Sequence, residues 1–123
     1  MRFSVEQNDS IVIFTLKEPK LDAINAPDVK AELLIICQPT IEALILDLSL
    51  VKYCDSAGLS ALLLAHRQMK EHEAPVFLAG ASDQVRNLLR ISQLEWLFDY
   101  FDSTEEALEQ LGEADDTGDD DSY

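Results

Sequence analysis

The segment Ala43-Leu44-Ile45-Leu46-Asp47-Leu48 constrains this chain most. A run of strand length without polar alternation has no face to give to water, so it predicts a central strand covered on both sides. Strands of that kind belong to parallel sheets, in which right-handed crossovers lay helices over the faces. The flanking segments fit. Val29, Leu33 and Leu34 recur at helical spacing before the run, behind Asn25 as an N-cap and Pro27 and Asp28 in a first turn. After it, Leu59, Leu62, Leu63, His66 and Met69 mark the clearest helical stripe. Val76-Phe77-Leu78-Ala79 is a short strand behind Pro75, and Ser82 or Asp83 caps a helix carrying Val85, Leu88 and Leu89.

The ends complete the pattern. Phe3 and Val5 alternate with polar residues as in a half-buried strand. Asn8-Asp9-Ser10 signals a turn into the β-branched run Ile11–Leu16, so the first pair is an antiparallel hairpin. Leu94, Leu97 and Phe98 extend the apolar surface, and Tyr100-Phe101 forms a short last strand. Ser103-x-x-Glu106 is a capping box ahead of Ala107, Leu108 and Leu111. The expected order is β-β-α-β-α-β-α-β-α, an α/β fold with a mixed, mostly parallel sheet of about five strands and about four helices. Residues 1–112 form one domain. Residues 113–123 hold Glu113, Asp115, Asp116, Asp119, Asp120 and Asp121 and read as an acidic, disordered tail.

Charge and composition narrow the function. With 24 Asp and Glu against nine Lys and Arg, the net charge is −15. Nucleic-acid binding needs clustered cations, and an anionic membrane would repel such a surface. A basic protein surface would be attracted. No segment approaches the ~20 apolar residues of a membrane span, and Met1–Glu6 has no apolar signal core. Cys37 and Cys54 lack metal or redox spacing and read as reduced thiols of a cytoplasmic protein.

Enzyme signatures are missing: no G-x-G-x-x-G, Walker loop or G-x-S-x-G occurs, and no cofactor is implied. His66 and His72 stand six apart, off the spacing of a helical metal pair; His66 reads as a packed histidine and His72 as a surface residue at the helix end. The informative segment is Tyr53-Cys54-Asp55-Ser56-Ala57-Gly58-Leu59, between the central strand and the clearest helix. A hydroxyl there stands among unpaired backbone N–H groups, and a phosphate on it would be accommodated by those donors and the helix dipole. The plainer alternative is that Asp55 or Ser56 is an ordinary cap and Gly58 only permits close packing. On a helical wheel Leu64 lies opposite the apolar stripe beside Ser60, Gln68 and Glu71, as part of a docking surface or as a lone exposed leucine.

Asp55-Ser56-Ala57-Gly58-Leu59 carries a resemblance, supported by Leu21-Asp22, Asn25-Ala26-Pro27, Leu46-Asp47-Leu48 and the pattern Val85-x-x-Leu88-Leu89 through Ser92, Leu94 and Phe98. From Phe3 to about Leu111 the chain resembles the STAS domain family of sulfate transporters and anti-sigma factor antagonists. The resemblance implies a regulatory binding protein, not an enzyme. In stand-alone members the serine after the Asp is phosphorylated by a partner serine kinase that is also an anti-sigma factor; phosphorylation releases that partner and a phosphatase resets the switch. Ser56 takes the phosphorylated position. Asp55 accepts contacts beside it, and Asp22 lies on the neighbouring loop near the same surface; with Asn25, Ser56, Ala57 and Gly58, and with Ser60 and Leu64 from the outer face of the helix, they make up the expected partner surface. The chain departs from many phosphorylated members at Ala57, where they have Ser or Thr, and at Pro19 and Gln93, where they often have Gly. Two further readings stay open: a constitutive, unphosphorylated interaction subunit of a larger, transport-related assembly, and a small-ligand sensor.

Overall fold

The computed structural model describes residues 1–120, with side chains to Gly112. Its strands are β1 (Phe3–Asn8), β2 (Ile11–Leu16), β3 (Lys20–Leu21), β4 (Ala43–Asp47), β5 (Tyr53–Cys54), β6 (Val76–Ala79) and β7 (Asp99–Phe101). The helices are α1 (Ala26–Ile36), α2 (Ser56–Lys70), α3 (Asp83–Ile91) and α4 (Thr104–Asp120), with a single 3-10 turn at Glu95–Leu97. The main sheet runs β1-β2-β4-β6-β7; only β1–β2 is antiparallel. The apolar run is its middle strand, as its composition predicts.

Alternation along β4 sorts the core into two layers. Leu44 and Leu46 join Phe14, Leu33, Leu62, Met69, Leu78 and Leu89 beneath α1, α2 and α3. Ile45 faces the other way with Ile13, Phe77 and Ala79, against Ala107 and Leu108 of α4. Each side chain of such a layer contributes strongly; truncating a buried leucine to alanine costs about 2–5 kcal/mol.

Several expectations change. β1 is an edge strand rather than a half-buried one: Phe3 and Val5 are 36% and 40% exposed, and Phe3 merely stacks on Phe14. The sequence pattern contains no sign of the second sheet, in which β3 pairs in parallel with β5. Each of these strands is two residues long, below the length at which alternation is readable. His72 is half-buried, and its Nε2 lies 3.0 Å from the Ile41 carbonyl oxygen, tying the end of α2 to the entry of β4. Gln93 has φ +61°, a conformation that glycine enters freely and that commonly ends a helix. The capping box is skewed. Ser103 Oγ accepts from the Glu106 N–H, but Glu106 reaches back to the Asp102 N–H rather than to that of Ser103. The helix continues to Asp120, past the boundary expected at 112. The acidic tail expected over 113–123 falls on residues outside those whose side chains are described.

Candidate functional site at the start of helix α2

The site begins with the small sheet. Leu21 pairs with Cys54, so the residues that follow them, Asp22 and Asp55, leave the sheet side by side. Backbone bonds lock this register: Tyr53 N–H donates to the Pro19 carbonyl at 3.2 Å, and Asp55 N–H to the Leu21 carbonyl at 3.3 Å. On the opposite edge of β5 the carboxamide of Gln84, in the first turn of α3, makes two bonds to Cys54. Its Oε1 accepts from the Cys54 N–H and its Nε2 donates to the Cys54 carbonyl, both at 2.8 Å.

Asp55 then caps α2. Its backbone is extended, and its Oδ1 accepts from the Gly58 N–H at 2.9 Å. Ser56 is the first helical residue and is exposed. Gly58 lies underneath, buried. A Cβ there would stand 2.2 Å from the Leu21 carbonyl oxygen and 2.7 Å from Cys54 Sγ, so only glycine lets the helix start this close to β3 and β5. Burial pushes the Cys54 thiol up to about 12, with the Asp55 charge adding to the effect; the group is a packed neutral thiol.

The loop from Asp22 to Asn25 stands beside this helix start and is latched by its own side chains. Asp22 Oδ1 accepts from the Ile24 N–H, and Asn25 Oδ1 accepts from the Asp22 N–H, each at 3.0 Å. Asn25 Nδ2 donates to the Lys20 carbonyl at 2.8 Å. Asn25 does occupy the N-cap position of α1, but its side chain makes no capping bond; it braces the loop instead. The result pushes Ile24 into solvent, 88% exposed, at the rim of a pocket of about 300 Å3 lined by Glu18, Pro19, Lys20 and Asp22. Glu18 accepts from the Arg2 backbone N–H, which holds its carboxyl below the usual value.

The structure therefore gathers Asp22, Asn25, Asp55, Ser56 and Ala57 around one helix start, with Ser60 a turn further, half-buried, its Oγ donating to the Ala57 carbonyl. Leu64 is half-buried and borders the open face of α2. At about 100° per residue the buried positions Gly58, Leu59, Ala61, Leu62, Ala65 and Met69 centre the core side, and the direction opposite holds Ser56, Ser60 and Arg67. Leu63 is likewise half-buried and borders the same face from the other side. Sequence reasoning also missed Ile24 and Gln84. Ile24 could have been suspected as an apolar residue inside a polar loop; Gln84 carries no local signal, since its partner is 30 residues away. Among the described residues no three His, Cys, Asp or Glu side chains gather as metal ligands, and no helix is long and apolar enough to cross a membrane.

Comparison with known proteins agrees with this geometry. A family model described as the STAS domain matches residues 2–107. An anti-sigma-B factor antagonist of Listeria monocytogenes is 33% identical over 98 residues, 76% of this chain and 84% of that protein. The anti-sigma factor antagonist SpoIIAA in its unphosphorylated form has the same fold, with a TM-score of 0.76 at 20% identity over 89% of this chain and 96% of that one. The Bacillus cell fate determinant SpoIIAA in the phosphorylated form matches with a TM-score of 0.72 at 20% identity, over 89% and 99% of the two chains.

Proposed function

The chain belongs to the STAS domain family, and from that premise we propose that it is a cytoplasmic anti-sigma factor antagonist switched by phosphorylation of Ser56. In this reading the unmodified protein binds an anti-sigma factor that is also a serine kinase. Phosphorylation of Ser56 ends the complex and a phosphatase restores it. The observation that carries the reading is the exposed Ser56 hydroxyl at the first position of α2, on a loop fixed from both sides yet open outward. The anti-sigma-B factor antagonist named above supports the partner class. That SpoIIAA is known in both phosphorylation states on this fold supports the switch.

The mechanism is local electrostatics. A phosphate adds about −1.5 to −2 charges at pH 7. At a helix N-terminus the fold tolerates that charge, because unpaired N–H groups and the dipole favour it. A partner packed on the loop gains no such compensation; it must desolvate the phosphate beside Asp22 and Asp55, in a chain already at −15. The partner surface comprises Asp22, Ile24, Asn25, Ser56, Ala57 and Ser60, and runs down α2 past Leu63 and Leu64. Asp55 and Gly58 serve it from beneath, as cap and as close-packing position.

The test pairs two measurements. Intact-mass analysis and peptide mapping of the protein from its own cells should find phosphate on Ser56 in part of the population. Ser56→Asp should weaken binding of the anti-sigma partner while the melting temperature stays near wild type. Unchanged affinity in Ser56→Asp would sink the mechanism.

A further inference from the structure

We infer that Gln84 is the positioning residue of the Ser56 switch, so that the first turn of α3 helps to set the loop a kinase reads; this rests on the phosphorylation reading above. β5 has two edges. In its parallel pairing with β3 the N–H groups of Tyr53 and Asp55 point to β3, as their bonds to Pro19 and Leu21 show. Cys54 alternates with them, and its N–H and carbonyl point the other way, where no strand follows. Cys54 is buried, and a buried peptide group left without a partner loses its solvation with nothing in return. Gln84 supplies both partners at 2.8 Å.

The chemistry is specific to glutamine. A primary carboxamide is both donor and acceptor at one side-chain end, which is what a peptide edge requires. Glutamate keeps the acceptor and loses the donor; asparagine is one methylene too short from the same helix position; alanine loses both. The next residues after Cys54 are Asp55, the cap, and Ser56, the acceptor of phosphate. Misplacing a reacting group by about 1 Å can lower a rate by ~100-fold. Gln84 is not sealed in the core either. With Arg86, Asn87 and Arg90 it lines an open cleft of about 540 Å3 along α3, so the clamp stands within reach of a docked protein.

A role confined to stability would make Gln84 interchangeable with any residue that holds α3. Ser82 supplies the control: its Oγ accepts from the Val85 N–H and caps α3, so Ser82→Ala weakens the same helix without touching Cys54. The experiment adds purified full-length wild type, Gln84→Ala, Gln84→Glu and Ser82→Ala to lysate of the protein's own cells with ATP. It reads the initial rate of Ser56 phosphorylation by mass, beside each variant's melting temperature. With both bonds to Cys54 gone Ser56 is no longer held in one place, and a misplacement of well under 1 Å predicts a rate about tenfold below Ser82→Ala for Gln84→Ala, with Gln84→Glu between them. Equal rates for Gln84→Ala and Ser82→Ala would overturn the inference. If Gln84→Ala does not fold, Gln84→Glu decides: a rate equal to that of Ser82→Ala overturns it. An absence of phosphorylation in wild type would overturn the switch reading and this inference with it, whereas equal variant rates beside a phosphorylated wild type overturn this inference alone.

Discussion

Gly58 shows how much of the site hangs on one missing methyl. The helix begins so close to β3 that a Cβ at 58 would lie 2.2 Å from a backbone oxygen, and backbone yields far less readily than a side-chain tip. Gly58→Ala must therefore push α2 away from Leu21 or distort β3. We expect a destabilisation of about 1–3 kcal/mol, the usual range for overpacking, despite alanine's better helix propensity. The urea midpoint of the purified variant measures it, and a midpoint at or above wild type would show that the helix start moves freely. Residues of this kind were legible in the sequence because their chemistry is local: Asp55, Ser56 and Gly58 lie within four positions, and cap, exposed hydroxyl and close-packing glycine each have a recognisable place in a helix start. Asn25 was half legible. Its position as a cap follows from Pro27 and Asp28, but the competing partners of its carboxamide, the Asp22 N–H and the Lys20 carbonyl, exist only because β3 pairs with β5. Gln84 was not legible at all, since nothing within its own helix distinguishes it.

At the scale of elements, strands and helices long enough to show a period were readable, and two-residue strands were not. β4 declared itself through composition; β3 and β5 form because tertiary packing brings Leu21 and Cys54 together. The phase of α2 was readable only approximately, because three leucines stand in succession at 62–64; Leu62 joins Leu59 and the buried alanines at 61 and 65 in the core, while Leu63 and Leu64 are half-buried on the two borders of the open face. His66 lies on the margin of that stripe, edge-on to Phe98 with ring centroids 6.0 Å apart. Burial lowers its pKa from 6.5, the positive charge of Lys70 lowers it further, and a hydrogen bond to the Leu97 backbone opposes both. With the folded value below the unfolded one, the unfolded chain binds more protons between them. The stability from keeping His66 neutral is therefore whole above the unfolded value, declines as pH falls through it, and is gone below the folded value. The imidazole is largely solvated, so the slope is shallow. We expect the urea midpoint of wild type to drop between about pH 7.5 and pH 5.5 by more than that of His66→Gln, which does not titrate there. Parallel midpoints for the two proteins would assign the acid sensitivity to other groups.

The whole molecule is dominated by its charge. At −15 over 123 residues it repels polyanions and attracts basic surfaces before any contact forms. A partner that docks on the Ser56 face meets Glu18, Asp22, Asp28 and Asp55 around a small apolar centre at Ile24, with Lys20 beside them and Arg2 paired to Glu18. Steering by the full charge and holding by the local contacts then act on different rate constants. Long-range attraction raises the encounter rate and is screened once the Debye length shrinks from about 10 Å at 0.1 M salt towards 3 Å at 1 M. The packed loop and the apolar centre govern dissociation, and salt touches them little. Raising sodium chloride from about 0.05 to 0.5 M should therefore lower the association rate with the anti-sigma partner by about tenfold or more and leave the dissociation rate within about twofold. Stopped-flow or surface kinetics at several salt concentrations separates the two. A salt effect carried by dissociation instead would mean that ion pairs, not apolar packing around Ile24, hold the complex, and Ile24→Ala would then leave its lifetime unchanged.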